Sequence, residues 1–187
     1  MPANSGELKN LDVTSTALIV AAQTTATILL LNGVAQGTTA TTRLGRRITM
    51  KSLYVRFNAA LAATTAGNSP IRLLIVYDKQ ANTNAPAAND VLVADAIVNP
   101  NNLSNSRRFV TLMDWLATDG LGTAGPGSAH HVFYKKMNLE VAFNTGSAGT
   151  IGDIQSGSVY LLAYQNGGLI TAAPTQAFYS RIRFSDM

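Results

Sequence analysis

Three stretches of this chain alternate apolar and polar side chains with a period of two, and that period narrows the fold more than any other feature. Between Ile48 and Leu61, residues Lys51, Leu53, Val55, Phe57, Ala59 and Leu61 share one parity, and Met50, Ser52, Tyr54, Arg56 and Asn58 share the other. From His131 to Phe143 the sets are His131, Phe133, Lys135, Met137, Leu139, Val141 and Phe143 against Val132, Tyr134, Lys136, Asn138 and Glu140. From Phe178 to Ser185 they are Phe178, Ser180, Ile182 and Phe184 against Tyr179, Arg181 and Arg183. Such alternation turns one set toward the covered face of a sheet and the other set away from it.

The remaining pattern is also strand-like. Val13 to Ala22, Thr25 to Leu31, Arg108 to Trp115 and Ser158 to Tyr164 read as further strands. Ile71 to Tyr77 is apolar at both parities, which predicts cover on both faces. Asn32-Gly33 ends the second run as a turn signal. Val91 to Val98 fits a helical turn or a short strand. Polar or glycine-rich connections are expected at Gly37–Thr42, Thr64–Pro70, Asn82–Asn89, Asn99–Ser106, Gly120–Ser128, Thr145–Ser156 and Gly167–Thr175. That makes about eight strands, no strong helix and no fixed-period repeat, so alternating strand–helix units and solenoids are disfavoured. An all-β sandwich or jelly roll is the expected class. One domain is expected over residues 11–187, preceded by a short flexible segment, 1–10, that lacks a basic arm: it holds Lys9 offset by Glu7.

Composition limits the chemistry. The 187 residues contain no cysteine, which removes disulfides and thiolate sites. Charged residues are only 13% against 47% hydrophobic ones, a surface suited to burial in an assembly. No apolar run is long enough to span a bilayer as a helix, so no membrane insertion is expected, and no secretory signal is apparent. The net charge of +4 permits a polyanionic partner without requiring one.

Catalytic constellations are hard to find. His130 and His131, the only histidines, are adjacent on a predicted strand and should face opposite ways, which disfavours a shared metal; a pH-sensitive contact is the functional reading retained for them. The acidic residues are scattered and read as loop-solvating or capping groups. The glycines of 120–127 lack the lysine and hydroxyl of a phosphate-binding loop. Trp115 reads as a core or subunit-contact anchor, with a sugar-stacking platform as the alternative. Neither an enzyme nor a cofactor is expected. The basic residues are more organised: Arg43, Arg46, Arg47 and Lys51 fall within nine positions and Arg56 follows. We weigh them equally as phosphate contacts and as intersubunit contacts. Arg107-Arg108 and Lys135-Lys136 form two further pairs, and Arg181 and Arg183 are assigned structural roles.

Several segments, in order, resemble one family. They are Leu30-Leu31-Asn32-Gly33-Val34-Ala35-Gln36-Gly37, Arg43-Leu44-Gly45-Arg46-Arg47-Ile48-Thr49-Met50-Lys51-Ser52-Leu53, Leu74-Ile75-Val76-Tyr77-Asp78-Lys79-Gln80, Ser156-Gly157-Ser158-Val159-Tyr160-Leu161-Leu162 and Ser180-Arg181-Ile182-Arg183-Phe184-Ser185-Asp186. Over about residues 28–187 the chain resembles capsid proteins of small circular Rep-encoding single-stranded DNA (CRESS DNA) viruses. The resemblance implies a single jelly roll, an eight-stranded antiparallel β-sandwich. It also implies self-assembly into an icosahedral shell, commonly of 60 copies, around circular single-stranded DNA. The implied partners are the chain itself, a genome held weakly through phosphates, and a host surface receptor; the implied locations are the virion and, during assembly, the host nucleus. The segment matching the family's basic turn-and-strand holds Arg43, Arg46, Arg47, Lys51 and Arg56. One departure is the missing arginine-rich arm: sixty copies at +4 carry 240 charges, fewer than a genome of about a thousand nucleotides with one charge each. A jelly-roll carbohydrate-binding module is the alternative function, and a cupin-type metalloenzyme is the weakest reading.

Overall fold

The computed structural model describes residues 7–16, 18, 25–60, 70–81, 83–117, 128–165 and 175–186. Among the described residues nine strands carry the fold: β1 (Leu8–Ser15), β2 (Thr27–Leu30), β3 (Arg47–Ala60), β4 (Ile71–Asp78), β5 (Phe109–Ala117), β6 (Ser128–Phe143), β7 (Ile154–Ser156), β8 (Ser158–Gln165) and β9 (Thr175–Asp186). A short α-helical turn, α1, is Ala88–Val91. They form two antiparallel sheets, one of order β1-β9-β3-β6-β7 and one of order β2-β8-β4-β5. Chain-distant strands thus lie side by side, β9 between β1 and β3 and β8 between β2 and β4, which gives a jelly-roll-like arrangement of two sheets. The ninth strand, against the eight expected, is β7, which pairs with the end of β6 inside the connector expected at Thr145–Ser156.

The period-two sets fall as the sequence predicts. Leu53, Val55 and Phe57 of β3 meet Phe178, Ile182 and Phe184 of β9 and Leu73, Ile75, Val159 and Leu161 of the other sheet in one buried cluster. The parity of β3 changes once. A bulge between Met50 and Ser52 lets Met50 and Leu53 both face the core and leaves Lys51 exposed. A second register shift lies between Ile75 and Val76, opposite Met113 and Thr111 of β5.

Every residue of β4 and β8 is buried, because a second cluster covers the far face of their sheet. The connection from β4 to β5 folds back over it. Ala88, Val91, Leu92 and Ile97 pack there on Leu74, Val76, Tyr160, Leu162 and Tyr164. Two arginine–aspartate pairs, each with one buried partner, pin this excursion. Arg72 makes a fork with Asp114 at 2.8 and 2.7 Å and donates to the carbonyls of Ile97 and Asn99 at 2.8 and 2.7 Å. Arg108 makes another with the fully buried Asp78 at 2.9 and 2.8 Å.

Two expectations change, and three expected loops fall almost wholly outside the described residues. The strand expected over Val13–Ala22 begins earlier, at Leu8, so residues 8–10 of the segment expected to be flexible are paired strand. The reason is Lys9, which is 2% exposed: its ammonium donates to the Thr42 carbonyl and pairs with Asp186, both at 2.9 Å. The undecided stretch at Val91–Val98 holds the last residue of α1 and then irregular chain. The loops expected at Gly120–Ser128 and Gly167–Thr175 lie almost wholly outside the described residues, as does the one at Thr64–Pro70.

Candidate nucleic-acid interface

Of the five basic residues singled out, Arg43 does not lie on a contact surface. Its side chain is fully buried. Its guanidinium donates to the carbonyls of Val34, Gly45 and Gly146 at 3.2, 2.6 and 2.5 Å and sits 4.1 Å from the centre of the Phe143 ring. Desolvation pushes its pKa down, offset in part by Asp153 and Asp186. Arg43 is therefore a clamp that ties the β2–β3 connection to the loop after β6. Gly149 makes room on that side: it has φ +75°, and a Cβ there would lie 2.6 Å from the Ala35 nitrogen.

Arg46, Arg47, Lys51 and Arg56 are exposed. They do not converge. Arg47 opens β3 and Arg56 lies nine residues on, about 30 Å at the rise of a strand. Lys51 reaches Asn138 of β6 at 3.0 Å. What Arg56 does meet is a set of residues from other strands, on the outer face of the five-stranded sheet.

The register builds that face in rows. Arg56 of β3 lies between Tyr179 of β9 and Val132 of β6. Tyr54 lies between Arg181 and Tyr134, and Ser52 between Arg183 and Lys136. Three strands therefore carry a tyrosine with a cation two residues on: Tyr54 and Arg56, Tyr134 and Lys136, Tyr179 and Arg181. Because these strands are antiparallel, tyrosines and cations interleave on one surface. The rings of Tyr54 and Tyr179 meet edge to face at 6.3 Å. Tyr134 is 58% exposed.

One of these cations is already committed. Arg181 forks onto Asp12 of β1 at 2.7 and 2.6 Å and lies 5.6 Å from the Tyr179 ring centre. The Asp12 carboxyl is held below its ordinary range, chiefly by that fork and partly against its own desolvation. The Tyr179 hydroxyl is pushed up by burial first and then by Asp12. Among the described residues, Arg56, Arg183 and Lys136 are in no ion pair. Glu140 is the exposed carboxylate of the β6 outer parity, opposite Thr49 and beyond Lys136.

At one end of the face lies an open depression of about 740 Å³. Tyr54, Arg56, Asn58, His130 and Tyr179 line it. His130 points outward into it, and its neighbour His131 points to the sheet interior, as adjacent strand residues must. His131 stacks on Trp115 of the other sheet, ring centres 4.6 Å apart, and its Nε2 is buried without a partner. The Trp115 ring also meets Phe57 edge on at 6.0 Å, so it serves as a contact between the sheets. Among the described residues, no three metal-ligating side chains come together. No helix among them is long and apolar enough to cross a membrane.

No protein-family model matches the chain, and no curated protein matches it. Among solved structures it aligns with a chain of the infectious bursal disease virus Gt strain structure, at 10% identity and a TM-score of 0.25. The alignment covers 98% of this chain and 37% of that one. A superposition this loose bears on neither fold nor function.

The alternation of the three long strands places Tyr54, Tyr134, Tyr179, Lys136 and Arg183 on the outer parity without joining them. The repeated tyrosine–x–cation spacing was the available signal. Pairing of β9 with β3 was needed to show that the three copies are neighbours.

Proposed function

We propose that this chain is a structural shell protein that self-assembles, around sixty copies to a closed particle, and encloses single-stranded DNA. The observation that carries the reading is the two-sidedness of the molecule. One outer side is the cationic, tyrosine-bearing face of the five-stranded sheet. The other is the β4–β5 excursion laid over the four-stranded sheet, with Val93, Val98 and Leu103 exposed at 61%, 76% and 81%. Apolar side chains of that exposure favour burial against a neighbour. A low charge count lets much side surface be buried without stranding ions. Contacts of several kinds close a shell, and many weak ones suffice once they act together.

In this reading Arg46, Arg47, Lys51 and Arg56 are the contact residues of the basic segment, and Arg43 holds the loop that carries Arg46 and leads into β3 at Arg47. The carbohydrate-binding alternative loses Trp115 as its anchor, since that ring is occupied between His131 and Phe57, and would rest on a tyrosine cluster instead.

The test is expression of the full chain without added nucleic acid, followed by size exclusion, negative-stain microscopy and the ultraviolet absorbance ratio of the particle fraction. Uniform closed particles support the shell. A nucleic-acid absorbance that nuclease removes only after the particles are opened supports packaging. Monomers or small oligomers across salt, pH and concentration would refute the proposal.

A further inference from the structure

The outer face of the five-stranded sheet carries more than a positive potential. Its aromatic residues stand on adjacent strands of one antiparallel surface. Tyr54 is on β3, Tyr179 on the neighbouring β9 and Tyr134 on the neighbouring β6. Cations without ion-pair partners among the described residues flank them: Arg56 lies beside Tyr179, and Arg183 and Lys136 lie one row beyond Tyr54 and Tyr134, on either side of Ser52. A sheet with one exposed ring, Tyr134, and two half-buried ones, Tyr54 and Tyr179, on neighbouring strands flanked by cations can stack unpaired bases and hold the phosphates beside them. A duplex cannot use such a surface, because its bases are already stacked on each other.

We infer that this face is a stacking platform for single-stranded nucleic acid. One base lies in the depression walled by Tyr54 and Tyr179, and its phosphate lies on Arg56. The depression, about 740 Å³, is of a size that suits a nucleotide-sized ligand. Asn58 and His130 supply polar groups at its rim. Arg181 does not bind phosphate here: its fork to Asp12 and its approach to Tyr179 hold that ring in place. The occupant is a polyanion by charge complementarity, since Asp12 is taken up by Arg181 and Glu140 is the remaining carboxylate on the outer parity of the three central strands. This deepens the nucleic-acid half of the proposed function and does not depend on the shell half.

The test is fluorescence anisotropy of the full chain with labelled oligo-dT, the matching duplex, and inorganic polyphosphate as competitor. The single strand should bind more tightly than the duplex, and polyphosphate should compete poorly at equal phosphate. Tyr54→Ala and Tyr179→Ala should each weaken oligo-dT about 5- to 150-fold, the loss of one stacked base. Neither should alter the salt dependence, and Tyr54→Phe and Tyr179→Phe should keep wild-type affinity. Arg56→Ala should instead lower the slope of log affinity against log salt by about 0.7, one phosphate contact on a single strand.

Equal binding of duplex and single strand, equal competition by polyphosphate, or Ala variants that fold and bind like wild type would each overturn the inference. So would self-association that depends on the tyrosines with no oligonucleotide affinity, which would assign the face to a second copy of the chain. If an Ala variant fails to fold, ultraviolet crosslinking of oligo-dT to the wild-type chain decides: adducts on the peptides holding Tyr54 or Tyr179 support the platform, and adducts only elsewhere overturn it. Failure to form particles, with oligonucleotide binding intact, would remove the shell proposal and leave the platform standing.

Discussion

Replacing Arg43 by alanine removes three hydrogen bonds and a ring contact at once. Each bond from a charged donor contributes about 1.5–3 kcal/mol net, and a desolvated cation over a ring about 2 kcal/mol. These do not add, because removing the guanidinium also relieves its own desolvation, which is worth several kcal/mol. The carbonyls of Val34, Gly45 and Gly146 are left behind; those lying deepest lack water to replace their donor. The expected loss is about 3–5 kcal/mol, the upper range for single substitutions. With a urea slope of about 2 kcal/mol/M, the unfolding midpoint of the dispersed protein falls by about 2 M. The clamp joins two loops, so part of the loss should be local. Amide exchange at Gln36 and Arg43, which bond to the carbonyls of Ser147 and Ala35, should speed up by about two to three powers of ten. Arg43→Lys should fall nearly as far as alanine, since an ammonium cannot reach three divergent carbonyls while covering a ring. Arg46→Ala, at an exposed position in the same segment, should change stability by about 0.5 kcal/mol or less. Equal effects of Arg43→Ala and Arg46→Ala would refute the clamp and return Arg43 to the contact surface.

Three further outcomes follow from buried or strained groups. His131 is held below its ordinary value of 6.5 by burial first and by His130 second, so the folded chain keeps it neutral while the unfolded chain takes up a proton; stability should therefore fall as pH drops below about 6.5, and His131→Phe, which keeps the stack on Trp115, should flatten that part of the denaturation profile, a parallel decline in both proteins contradicting the assignment. Asp78 is fully buried and Arg108 is 23% exposed. Arg108→Ala, which strands the carboxylate, should then cost about 3–5 kcal/mol and Asp78→Asn clearly less, in calorimetry or urea titration; the reverse order would show that Arg108 is the desolvated partner. Gly157 has φ +85°, and a Cβ there would lie 2.3 Å from the Glu140 carbonyl oxygen. Gly157→Ala should lower stability by about 2 kcal/mol or more, and a melting temperature equal to wild type would show that the turn between β7 and β8 adapts.

Much of the fold was legible because a strand writes its geometry into its sequence. A side chain on β3, β6 or β9 faces in or out according to parity, so the core set and the outer set could both be named from residue types alone. The doubly apolar run Ile71–Tyr77 likewise announced a strand covered on both sides, and the excursion over Leu74 and Val76 supplies that cover. Loop residues carry no such period. Arg43 and Arg46 are three positions apart with the same chemistry, yet one is enclosed and the other exposed. The difference lies in the Gly146 carbonyl and the Phe143 ring, both contributed from about a hundred residues away. Lys9, offset by Glu7 in a polar segment, gives no local sign of its burial for the same reason: its partners Thr42 and Asp186 are remote in sequence.

The sequence by itself determined an all-β chain, the inward and outward sets of its long strands, and a surface poor in charge. The tertiary structure alone decided which strands lie side by side, and with that which cations meet which tyrosines. Parity is a local property, set by the pleat within a few residues. Adjacency of β9 to β3 depends on loop closure and on burial summed over two sheets, and no short window of sequence contains it.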